Sequence, residues 1–105
     1  MGAWVVLLVS AVMEAAWATA LGESDGLTRP VPTVVFVVFS VLSLVGLGRA
    51  MRTIPTGTSY AVWTGIGAAG TFLVGIVFFG DASSLGRYLG VLLIISGVVV
   101  LKLSH

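Results

Sequence analysis

Glu14 is the only ionisable side chain in "VVLLVSAVMEAAWATAL" (residues 5–21). A carboxylate facing lipid is costly, roughly 2.5–3.5 kcal/mol on insertion scales. An acid in such a run is therefore expected to face protein or a watered cavity, and it marks a functional site by default. The chemistry open to it is the holding of a proton or of a cation. On a helix, Ser10 and Trp17 share its face, at spacings of four and three residues. The uncharged run "TSYAVWTGIGAAGTFLVGIVFFG" (residues 58–80) gathers Tyr60, Trp63 and Gly67 on one face in the same way. Ser40 and Ser43, in a third apolar run, carry hydroxyls at a matching depth. An acid, two indoles, a phenol and hydroxyls thus converge on one polar pocket at membrane depth. Such a pocket suits a small cation, with charge from the carboxylate and faces or hydrogen bonds from the rings.

Each residue also has a plainer role to be weighed. Trp17, Tyr60 and Trp63 fit an interfacial belt, where Trp and Tyr concentrate, and Trp4 is assigned to that belt. Ser40 and Ser43 can bond back to their own helix. Glu14 can be a protonated, purely structural acid bonded to a neighbouring helix.

The elements that must position these groups follow from composition. Of 105 residues, 58% are hydrophobic and 9% charged, with a mean hydropathy of +1.17. Water-soluble domains carry roughly 25% charged residues, so the expected fold is an all-α membrane protein forming one transmembrane domain over residues 1–105. Four spans are expected, over about 4–21, 32–51, 58–80 and 85–103, because a crossing takes about 20 helical residues. The runs are continuous and do not alternate, which favours helices over barrel strands. Short turn-rich segments join them: "GESDGLTRP", "RTIPTG" and "GDASS". Pro32 suits a helix start, and Ser83 or Ser84 a cap on the fourth helix. The triplet "ATA" (residues 18–20) imitates a cleavage site. The first run nevertheless lacks a basic leader and holds an acid, so it is expected to be retained.

Other function classes find little support. The net charge is +1 without a basic cluster, which speaks against nucleic acid. There is no cysteine, the one histidine is His105, and no second acid lies in a span, so no enzymatic constellation is visible. "GIGAAG" (residues 65–70) matches a dinucleotide-binding fingerprint letter for letter. It lies inside an apolar helical run with no preceding strand, so the match is rejected; its glycines permit a kink and close packing. Four crossings put Arg49, Arg52 and Lys102 on one side and Arg29 and Arg87 on the other. Three against two scarcely sets an orientation, which leaves insertion both ways, and hence an antiparallel pair, open. Gly90 and Gly97, seven residues apart on the fourth helix, offer a seam for such a pair.

With "MEAAWA" (residues 13–18), "IPTGTSYAVWTGIGAAG" (residues 54–70) and the Gly90/Gly97 pair in view, the chain resembles the small multidrug resistance family over essentially its whole length. Trp17 after the acid and "YAVWTGIGA" (residues 60–68) look like the guanidinium-exporter subtype. The resemblance implies an antiparallel dual-topology homodimer in a bacterial inner membrane. That dimer would exchange a guanidinium-type cation for protons, with no cofactor. Glu14 would be the shared substrate and proton site, with Trp17, Ser43, Tyr60 and Trp63 as neighbours. Gly65 and Gly67 would be the hinge, and Gly90 and Gly97 the dimer seam. Two departures concern fine substrate preference: Gly22 stands where the family usually has a lysine, and Ser10-Ala11 where a glycine is common. Broader quaternary-ammonium export, a non-transporting regulator, and half of a heterodimer are the competing readings.

Overall fold

Lipid offers backbone groups no hydrogen-bond partner, so each apolar run must close its hydrogen bonds on itself. The computed structural model describes residues 2–104 as four helices: α1 (Gly2–Glu23), α2 (Pro30–Ala50), α3 (Thr56–Phe79) and α4 (Leu85–Ser104). All four are long and apolar enough to cross a membrane. His105 lies outside the described residues.

The helix ends follow local chemistry. α2 starts at Pro30, two residues before the expected Pro32, because Pro30 already supplies a fixed φ at the first helical position. Arg29 before it is extended (φ −88°, ψ 123°), as a residue preceding proline prefers. α1 runs two residues past its expected end, to a turn built on buried Ser24. The Ser24 hydroxyl donates to the Leu21 carbonyl at 2.7 Å and accepts the Leu27 amide at 3.0 Å. Gly80, in the left-handed region (φ 66°), stops α3 where a side chain would be strained. Ser84 caps α4 by accepting the Arg87 amide at 3.3 Å.

The interior lies among the first three helices, where Leu7, Ala11, Leu47, Ala50, Ile54 and Val62 are buried. Small residues set the helix spacing. At Gly46 a methyl group would collide with the Ser10 side chain, so this glycine is what lets α2 lie so close to α1. α4 stands apart. None of its residues is buried, and its backbone approaches only α3. There Ile94 and Val98 fit against Gly65, whose absent Cβ would stand 3.1 Å and 2.8 Å from their methyl carbons. The Cα envelope measures 39 × 34 × 17 Å.

Charge is divided between the two ends. Arg49, Arg52 and Lys102 lie at the end where α2 and α4 finish. Glu23, Asp25, Arg29, Asp81 and Arg87 lie at the other, in or beside the first and third connections.

Candidate functional site

A buried polar chain ties the first three helices together beside Glu14. Trp63 Nε1–H on α3 donates to the Ser43 hydroxyl on α2 at 3.0 Å. Ser43 in turn donates to the Ser10 carbonyl on α1 at 2.7 Å. That carbonyl lies one helical turn before Glu14, so three helices are registered at the depth of the acid. Ser10's own hydroxyl turns back to the Val6 carbonyl at 2.7 Å. Ser43 and Trp63, expected to converge on Glu14, are joined to each other and to the Ser10 backbone, and among the described residues neither is hydrogen-bonded to Glu14. Ser40 takes the plainer role and bonds Val37 of its own helix at 2.9 Å.

An aromatic wall runs alongside. The Trp17 ring lies 6.4 Å from that of Trp63, tilted by 41°, and the Tyr60 ring lies 5.9 Å from that of Trp63. Phe36 of α2 meets Trp17 edge-on at 5.7 Å. Such pairs contribute about 0.5–1.5 kcal/mol each beyond area burial, so the indoles are held by neighbours on several helices. Trp63 is buried, which removes it from an interfacial belt, whereas Tyr60 is 55% exposed. Phe36 is absent from the sequence reading, although its spacing of seven from Ser43 places it on the same helical face. Trp4 is 8% exposed, with Lys102 Nζ 4.6 Å from its ring centroid, so it is covered by α4 and does not stand in an interfacial belt.

Glu14 sits against Gly67. A Cβ there would overlap the carboxyl, so the missing side chain is the room the acid occupies. Among the described residues, two buried side-chain polar atoms lack a hydrogen-bond partner: Glu14 Oε1 and Trp17 Nε1. They lie one helical turn apart, an acceptor and a donor in one region. Between α1 and α3 a cavity of about 230 Å³ begins one turn beyond Glu14 and Gly67, at Ala18 and Thr71. It reaches Glu23 and Asp81 at the acidic end and is also lined by Gly22.

The glycines divide into separate roles. α3 is unbroken through residues 65–70. Gly65 receives α4 and Gly67 receives Glu14; two residues apart on a helix, they point to nearly opposite sides. Added Cβ atoms at Gly90 and Gly97 would meet nothing within 4 Å, so their surface is open in the single subunit.

Comparison with known proteins agrees with this architecture. A family profile described as Small Multidrug Resistance protein matches residues 2–94. A guanidinium exporter of Citrobacter freundii is 44% identical over 101 residues, covering 96% of each chain. One of Yersinia pseudotuberculosis is 43% identical over 102 residues, 97% of this chain and 98% of the relative. One of Salmonella typhimurium strain LT2 is 41% identical over 101 residues, 96% of each.

Proposed function

The chain belongs to the small multidrug resistance family, a multi-pass protein of the bacterial inner membrane, and from that premise we propose that it exports guanidinium-type cations in exchange for protons. The observation that carries the proposal is the unpartnered Glu14 Oε1, buried in the Gly67 notch beside the aromatic wall. A charged oxygen left bare in such a place costs free energy. A proton removes the cost by neutralising the group. A guanidinium ion removes it by supplying positive charge and planar N–H donors that match a carboxylate fork. Both satisfy the same oxygen, so each displaces the other, and exchange needs no second site.

The neighbours divide the work. Ser43 and Trp63 fix the helix carrying Glu14. The rings of Trp17, Trp63 and Tyr60 offer faces to a flat cation. An indole N–H only donates, as does guanidinium, so the Trp17 Nε1–H is suited to the carboxylate and not to the substrate. A second, inverted copy would pack along α4 at Gly90 and Gly97, whose surface is open in the single subunit. Rocking of α3 about Gly65 and Gly67 would then alternate access between the two faces.

The test is transport by purified protein in liposomes under an imposed pH gradient, with guanidinium compared against tetraalkylammonium. Guanidinium moves against the proton flux, and Glu14→Gln moves none on the gradient. Proton-driven transport retained by Glu14→Gln would refute the assignment.

A further inference from the structure

We propose that the groove between α4 and the α1/α3 pair is a binding site for one anionic phospholipid, with an acyl chain along the groove and the phosphate at Lys102. The groove has a volume of about 300 Å³, and Leu8, Val62, Ile66, Ile95 and Val98 are among the apolar side chains that line it. Its one cation, Lys102, lies in the last turn of α4 and is held over the Trp4 ring at 4.6 Å. Among the described residues Lys102 forms no ion pair. An apolar channel along the span with a fixed ammonium at its membrane-surface end is complementary to a lipid with a negative headgroup. The surroundings have the same sign: Arg49 and Arg52 share this end, and the described carboxylates other than Glu14, namely Glu23, Asp25 and Asp81, lie at the other.

A second copy of the chain is the competing occupant, and the helical phase of α4 argues against it. At 100° per residue, Ile95 and Lys102 lie roughly 120–160° round the helix from Gly90 and Gly97. The small-residue face that invites close helix packing thus points away from the groove. Ile94 and Val98 are already engaged with Gly65, so the groove is an internal seam of the subunit with one side open to lipid. The site is independent of Glu14 and stands whether or not the chain moves guanidinium.

Quenching of Trp4 tests the proposal. With Trp17→Phe and Trp63→Phe as background, Trp4 is the one remaining tryptophan. Phosphatidylglycerol and phosphatidylcholine with brominated acyl chains are compared as quenchers at equal mole fraction. One fixed cation at the surface gives about a fivefold preference for the anionic lipid. Lys102→Gln removes it while phosphatidylcholine still quenches; Arg52→Gln, outside the groove, retains most of it. Equal quenching by the two headgroups, equal losses in the two variants, or a Trp4 shielded from both lipids would overturn the site. Native mass spectrometry of the chain with all its tryptophans gives a second readout that does not depend on the background folding. It should retain phosphatidylglycerol over phosphatidylcholine, and a chain that retains both alike refutes the proposal.

Discussion

Gly67→Ala adds one methyl group at the place where Glu14 sits. The new Cβ would stand 2.9 Å from Glu14 Cγ and 2.5 Å from Cδ, and nearer still to Oε1. Carbon contacts settle at about 3.5–4.0 Å, so about 1 Å of displacement is required. Two responses are open: α1 and α3 separate, or the carboxyl swings out of the notch. Overpacking costs about 1–3 kcal/mol. The obstructed atoms are the far end of a flexible side chain, so swinging is the cheaper response. The penalty should therefore fall on binding and not on folding. We expect guanidinium affinity to drop at least tenfold, equivalent to about 1.4 kcal/mol, with little change in thermal stability. Gly70→Ala is the matched control. Its Cβ would meet the Cβ of Ala15 at 3.0 Å, a neighbour that cannot swing, so stability falls while affinity stays within about threefold, well short of the tenfold loss. Calorimetric titration of guanidinium, paired with thermal unfolding, measures both quantities. A folded Gly67→Ala protein that binds as tightly as the unmodified chain would refute the notch as the seat of the acid.

Other outcomes follow from the same geometry. Competition at Glu14 Oε1 requires guanidinium affinity to fall as pH is lowered, because protonation fills the oxygen that the cation needs. Titrations at several pH values check this, and a Glu14→Asp protein with an identical pH profile would contradict it. Ser43→Ala strips a partner from both Trp63 Nε1 and the Ser10 carbonyl, and should lower stability by about 1–3 kcal/mol. A double-mutant cycle with Trp63→Phe should show coupling of at least about 0.5 kcal/mol, and strict additivity would speak against the chain. A Cβ at Gly97 meets nothing within 4 Å in the subunit, so Gly97→Leu should leave helix content unchanged while cross-linking of the proposed dimer in lipid declines; undiminished cross-linking removes Gly97 from the proposed seam.

Much of this was legible in residue types and spacing. Four continuous apolar runs dictate four helices, and the bond that joins Ser43 to Trp63 follows from their shared depth. What stayed hidden depends on the angle at which helices meet. Trp4 looks like a belt residue by position, but it is covered because Lys102 of α4 lies over its ring. The role of the Ser10 carbonyl is invisible in sequence, since every residue has a carbonyl and only helix approach decides which accepts a bond. Gly65 and Gly67 read alike as hinge glycines, and only the rotation of α3 separates a seat for α4 from a seat for the acid. Phe36 was recoverable from its seven-residue spacing, but one phenylalanine among apolar neighbours carries no polar signal to prompt the search.

The two notches of α3 also make it a mechanical intermediary. One flank is keyed to the Glu14 carboxyl, and the other to Ile94 and Val98 of the outermost helix. A rod gripped on opposite flanks cannot yield on one without shifting its bite on the other. If the carboxyl shifts in its notch on binding, as the proposed exchange requires, that shift would reach the least anchored part of the molecule through one helix, without a relay of intervening side chains.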